Sequence, residues 1–186
     1  IGNVNNILQY APDLKEKYPG NAAEIELIRA QALYIRALVH LNLCCCYGQH
    51  YTYTPDASHW GVPNLSILPS ANDPVLRASV YDVYNKRIIP DLEEAIGIFG
   101  STTMDCYHAS ATACEALLAR VYLYMEQWQK ASDYATTVIA KVPLTSYENY
   151  VNMYVNIETG SEAIFRLNGF RASKDLWKFY DPVSPI

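Results

Sequence analysis

Only two residues, Glu126 and Gln127, separate two amphipathic patterns in this chain. Ser110 to Met125 carries small residues at Ala113, Ala116 and Ala119 and larger ones at Leu117, Val121 and Tyr124. Trp128 to Val142 sets Ala131, Ala135, Val138 and Ile139 on one side, and Pro143 closes it. Steps of three and four residues are the period of a helix with one apolar face. Two helices joined by so short a connection must run antiparallel and pack on each other.

Two longer helical patterns precede this hairpin. In Ala22 to Tyr47, one stripe runs through Ile25, Ile28, Ala32, Ile35, Val39 and Asn42. A second runs through Leu33, Ala37, Leu41, Cys44 and Tyr47, so the apolar face is wide and calls for neighbours on two sides. Asn21 stands where a cap is wanted, and Gly48 where a left-handed residue ends a helix. In Ser79 to Phe99, the residues Val80, Val83, Tyr84, Ile88, Leu92, Ala95 and Phe99 share a side. Ser79 and Asp82 have the spacing of a capping box, and Gly100 is a natural stop. Pro90 falls inside this pattern and should kink or break it near Ile89, because proline lacks an amide and crowds the preceding turn.

Residues 48–78 form a loop insertion between these two helices. After Pro143 the helical rhythm fades. Tyr147, Tyr150 and Tyr154 surround a short Asn-rich helix or turn, and Ala163 to Leu167 is a candidate strand. The tail through Pro182 and Pro185 reads as irregular, over 143–186 as a whole. The expectation is an all-α (α-rich) fold of antiparallel hairpins with irregular loops and a short C-terminal strand region.

The 110–142 hairpin has tetratricopeptide spacing. Ala119, Tyr122, Trp128, Ala131 and Pro143 fall where that 34-residue repeat takes a small residue, two aromatics, an alanine and a closing proline. Two positions depart: Glu126 stands where glycine is common, and Ala135 where a large aromatic is usual. The first two helices would be a second such unit, its turn replaced by the 48–78 insertion. Repeats bury their faces against neighbours and usually need about three units, so two hairpins imply part of a larger protein.

Composition removes several function classes. The formal charge of −5 gives no broad electrostatic reason to hold nucleic acid or anionic lipid. No apolar run approaches the roughly 18 residues that span a bilayer. The chain starts at Ile1 without a signal peptide, which reads as a processed protein or a piece of a longer one. Five cysteines leave the redox compartment undecided. Cys44, Cys45 and Cys46 point in three directions on a helix and read mostly as small buried apolar residues.

Catalytic and metal chemistry find little support. Cys46 and His50 are four apart, but Gly48 ends the helix between them. Cys106 and His108 have no second ligand pair at regular spacing. Adjacent Glu93 and Glu94 diverge on a helix and read as a solvated face. There is no phosphate-binding glycine loop and no nucleophile elbow. No cofactor, metal or catalytic residue is expected. Asn64-Leu65-Ser66 matches a glycosylation sequon, a short pattern that also arises by chance.

The residues as an ordered set resemble the SusD/RagB family of outer-membrane nutrient-binding lipoproteins. The blocks are RAQALYIRALVHLNLCCCYG, SVYDVYNKRIIPDLEEAI, SATACEALLARVYLYMEQWQKASDYATTVI and SEAIFRL, with IGNVNNILQY as the lead-in. The resemblance covers most of residues 1–170 and implies the helical, N-terminal portion of one partial domain over 1–186. It implies a non-catalytic protein on the cell surface, held in the outer membrane by a lipid anchor that is not in this chain. It also implies a TonB-dependent transporter as partner and a glycan, or in some cases a peptide, as ligand.

Sugars present polar rims and C–H faces, which flat aromatics with adjoining hydrogen-bonding groups can grip. The loop GQHYTYTPDASHWGVP offers Tyr51, Tyr53, His59 and Trp60, with Asp56 beside them, as candidate ligand-binding residues. The competing reading is that these aromatics fold back onto the helices or onto a partner surface. A second function class is a tetratricopeptide adaptor that binds peptide on its concave face. It would use Arg29, Arg36 and Arg120 if these are exposed.

Overall fold

A computed structural model describes residues 1–67, 70, 72, 74–151 and 162–167 of the chain. Among the described residues six α-helices follow one another: α1 (Gly2–Lys17), α2 (Ala22–Tyr47), α3 (Val80–Val83), α4 (Ile89–Phe99), α5 (Ala111–Tyr124) and α6 (Trp128–Lys141). They pack in series, α1 on α2, α2 on α4, α4 on α5 and α5 on α6. The all-α expectation holds. Among the described residues the only β-type pairing is a single antiparallel bridge between Trp60 and Ser79.

The core lies where these neighbours meet. Leu33, Leu41, Val80, Val83, Ile88, Leu92, Phe99, Leu118 and Val121 are all buried to within a few per cent. The whole set from Val80 to Phe99 named from periodicity lies inside. On α2 the Leu33–Ala37–Leu41–Cys44 stripe is the core face, whereas Ile28, Asn42 and Tyr47 are exposed.

Local chemistry explains the boundaries. Ser79 Oγ accepts from the Asp82 amide at 3.0 Å, and Ser110 Oγ from the Ala113 amide at 3.1 Å. Between α3 and α4 the helix widens into a π-turn, Tyr84–Ile88, just before Pro90. Pro90 has no amide for the carbonyl four residues back, and the wider turn accommodates its ring. Gly100 ends α4 at φ +51°.

Several expectations are corrected. Ala163–Leu167 forms no strand: it is an irregular segment, tied by the Arg166 amide to the Cys106 carbonyl and by Phe165, whose ring stands edge-on to Tyr34 at 5.0 Å. Asn21 stands at the start of α2, but its side chain makes no cap bond and reaches Glu24 instead. Gly48 is extended, not left-handed, with φ −104°. Its glycine character has another cause, because a Cβ there would sit 2.9 Å from the Cys44 carbonyl oxygen. Of the cysteine trio only Cys44 is buried; Cys45 and Cys46 are exposed. Burial pushes the thiols of Cys44 and Cys114 up to about 12.

α1 has no counterpart among the helices read from sequence. Val4, Leu8 and Ala11 recur at helical spacing, but Pro12 and three asparagines hide the pattern. The tail positions Tyr154, Pro182 and Pro185 lie outside the described residues, while Tyr147–Asn149 forms one 3₁₀ turn.

Candidate functional site: an aromatic depression at the end of α2

The chain leaving α2 turns at Gly48, makes a 3₁₀ turn at Tyr51–Tyr53 and returns along the start of α3. Its course is fixed by backbone pairing. The Gly61 amide donates to the Ala78 carbonyl at 2.8 Å, the Ala78 amide to Val62 at 3.1 Å and the Val80 amide to His59 at 2.9 Å. Gly61 is needed here, since a Cβ would lie 3.1 Å from the Val80 nitrogen. Ala57 and Val62 anchor the loop in the core.

Arg77 ties the two edges of the loop together. Its Nε donates to the Gly61 carbonyl at 2.6 Å, and its Nη2 to the carbonyls of Tyr47 at 2.9 Å and Trp60 at 3.2 Å. One guanidinium thus holds the last turn of α2 against the loop. Arg87 does the same farther along, donating to Asn64 Oδ1 at 2.7 Å and Ser66 Oγ at 2.6 Å. Both polar side chains of the sequon are occupied by that arginine.

The result is a depression of about 500 Å³ lined by Cys46, Tyr47, Gly48, Gln49, Tyr53, His59, Trp60 and Arg77. Tyr47, Tyr53 and Trp60 are 71%, 65% and 68% exposed, which leaves their ring faces open to a ligand. His59 stands edge-on to Tyr53 with ring centroids 5.3 Å apart. Its Nδ1 accepts from the Thr54 hydroxyl at 2.9 Å, and Nε2 donates to the Gln49 carbonyl at 3.4 Å, an assignment set by the carbonyl being acceptor only.

Of the four candidate residues, Tyr53, His59 and Trp60 come together. Tyr51 does not line the depression. Its ring lies 5.0 Å from Tyr84, and its hydroxyl accepts from Asn85 at 3.0 Å, so it packs on the core. Asp56 is spent on its own turn: the Ser58 hydroxyl and, after it, the Ser58 amide lower its pKa. Tyr47 and Arg77 were not among the candidates. Tyr47 reads as one more apolar position of the α2 stripe, and Arg77 sits in an insertion with no periodicity to decode.

His50 is engaged with Thr52 at 3.0 Å, and His108 with Asp105 at 2.7 Å. Among the described residues no three His, Cys, Asp or Glu side chains gather as a metal site would require. Nor is any described helix long and apolar enough to cross a membrane.

A second depression of about 360 Å³ lies between α2 and α5, lined by Tyr34, Leu38, Ala113, Leu117, Arg120 and the 162–165 segment. The Arg36 guanidinium is buried in a two-pronged pair with Asp91, at 2.7 and 2.8 Å. Arg29 is paired with Glu26 and Glu94. Arg120 alone of the three arginines is exposed.

Comparison with known proteins agrees with this architecture. A family model described as "SusD-like_3: Starch-binding associating with outer membrane" matches residues 1–123. A SusD superfamily protein from Bacteroides thetaiotaomicron VPI-5482 is 29% identical, with TM-score 0.66, over 81% of this chain and 34% of that one. A SusD-like carbohydrate binding protein from Bacteroides vulgatus ATCC 8482 is 27% identical, with TM-score 0.64, over 79% and 31%. A laminarin binding SusD-like protein is 27% identical, with TM-score 0.64, over 87% and 34%. No curated protein matches. The chain spans about a third of the length of these structures. Since the matched model covers well over half of the chain, this protein belongs to the SusD-like family.

Proposed function

We propose that this chain is the helical portion of a non-catalytic surface protein that binds a glycan and passes it to a TonB-dependent transporter. In this reading residues 1–186 are part of one larger domain, carried at the outer-membrane surface by a lipid anchor. Family membership supports the setting, and two relatives described as carbohydrate binding and laminarin binding support the ligand class. The observation that carries the reading is the open face of Tyr47, Tyr53 and Trp60 around one depression, held in place by Arg77. Aromatic rings whose position is fixed before binding lose little conformational entropy when a sugar stacks on them.

The helices serve as scaffold in a tetratricopeptide-like arrangement. In the last hairpin Tyr122 stacks on Tyr134 at 5.6 Å under the Lys130 ammonium, and Trp128 is left 62% exposed at the start of α6. The peptide-adaptor alternative has less support. Two of its three arginines are committed to carboxylates, and Phe165 of the chain itself occupies the groove beside Tyr34.

The test is calorimetry on the full-length protein with soluble polysaccharides, laminarin included, and with peptides. Trp60→Ala and Tyr53→Ala should each weaken glycan binding by about tenfold, near 1.4 kcal/mol, without loss of helix content. Glycan binding that both variants leave unchanged would move the site elsewhere in the protein. Binding of peptides alone would replace the glycan reading.

A further inference from the structure

Among the described residues that line the aromatic depression, Arg77 is the only one with a formally charged side chain. It has no carboxylate partner among the described residues, since all its hydrogen bonds go to backbone carbonyls. Those carbonyls are neutral, so they fix the guanidinium in place without cancelling its charge. They use Nε and Nη2 only, and Nη1 has no partner among the described residues. An arginine held in this way is a pre-set donor for an anionic oxygen, with little side-chain entropy left to lose. The other polar groups at the site, the Gln49 amide and the tyrosine hydroxyls, suit a ligand of many hydroxyls. Among the described residues no carboxylate lines the depression, so no like charge of that lining opposes an anion.

We propose that the depression selects anionic saccharides. A sugar ring stacks against Tyr53 or Trp60, and its carboxylate or sulfate ester accepts from Arg77 Nη1. The proposal rests on the depression being a glycan site and adds the charge of its ligand. A sulfate and a carboxylate offer the same acceptor chemistry, so the two are separated by experiment.

The experiment uses the full-length protein and paired probes. One pair is oligogalacturonate and its carboxyl-reduced form; the other is a sulfated galactan oligosaccharide and its desulfated form. The anionic member of at least one pair should bind tenfold or more tightly than its neutral counterpart. That preference should shrink as salt rises, because the contact lies at an exposed surface. Arg77→Gln should remove the preference, whereas Arg77→Lys should keep part of it. Neutral-glycan affinity in these variants reports whether the loop still holds its shape.

Equal affinity within both pairs, lost on Trp60→Ala, overturns the charge selection and leaves the glycan site standing. Binding of none of these saccharides overturns the charge selection, and if laminarin and the other soluble polysaccharides also fail to bind, the glycan site falls with it. An anionic preference that survives Arg77→Gln also overturns the assignment. So does equal binding of a poly-glutamate peptide, since the site would then read charge without reading sugar.

Discussion

Glu126 has φ +58°, one of two described non-glycine residues in the left-handed region. It ends the α5 turn, where the Gln127 amide donates to the Tyr122 carbonyl at 2.9 Å and its own amide to Leu123 at 3.1 Å. That closing geometry suits glycine, and a side chain there costs about 1 kcal/mol. The carboxylate receives the Thr52 hydroxyl at 3.0 Å, an exposed bond of small worth. Glu126→Gly should therefore raise stability by about 0.5–1 kcal/mol, while Glu126→Ala, which loses the bond but keeps the strain, should not. Urea titrations of the two variants check this, and equal midpoints would remove the strain argument. The sequence showed this residue out of place against the tetratricopeptide spacing, so its strain was legible. It also showed the cap at Ser79, because a hydroxyl three residues before an amide acts locally; the equivalent cap at Ser110 was not read. It did not show how Gly48 works, since the limiting contact there is with a carbonyl one helical turn back.

At the scale of elements, periodicity revealed the buried face of 80–99 and of α5, but it passed over α1, set Ile28 of α2 and Ile139 of α6 on apolar faces where both are exposed, and missed the polar links between helices. The Arg36–Asp91 pair joins α2 to α4, with side chains only 8% and 6% exposed. Arg36 Nη1 also reaches Asn5 Oδ1 at 3.4 Å, and Asn5 Nδ2 donates to the Leu65 carbonyl at 3.0 Å. One buried chain of contacts therefore ties α1, α2, α4 and the insertion. Arg36 was read as a possible ligand for a peptide because an isolated sequence gives no partner 55 residues away. Asp91→Ala leaves a buried guanidinium unpaired and should cost about 3–5 kcal/mol. The double change Arg36→Met with Asp91→Leu removes both charges and should cost clearly less. Chemical denaturation of the three proteins decides it, and equal losses would mean that the pair contributes packing rather than charge compensation. The aromatic site was legible to a similar extent: alternation of Tyr, His and Trp in the loop marked its members. Which rings turn outward depends on Asn85, Tyr84 and Arg77, which lie beyond the loop's own span.

For the molecule as a whole, the same polar seam sets the response to acid. His40 is fully buried on α2, where its Nδ1 must carry the proton it donates to the Arg36 carbonyl at 2.8 Å. Its Nε2 is buried without a hydrogen-bond partner among the described residues. The charged groups around it are Arg36 on α2, Arg87 in the π-turn and Asp91 on α4, two cations against one anion. Burial is the main cause that pushes its pKa below the ordinary 6.5, the Arg36 carbonyl opposes this, and Arg87 adds to it. The folded protein therefore takes up a proton at His40 less readily than the unfolded chain does. The stability that neutral His40 provides is present above about pH 6.5 and is lost as pH falls below it, by at most about 1.4 kcal/mol per pH unit. Between pH 7 and pH 5 the unfolding free energy should fall, before carboxylates with ordinary values near 4 begin to titrate. His40→Gln, which cannot take up the proton, should flatten that part of the profile even if it lowers stability at every pH. Denaturant titrations at half-unit steps measure both slopes. Parallel slopes for the two proteins would assign the acid sensitivity to groups outside the seam between α2 and α4.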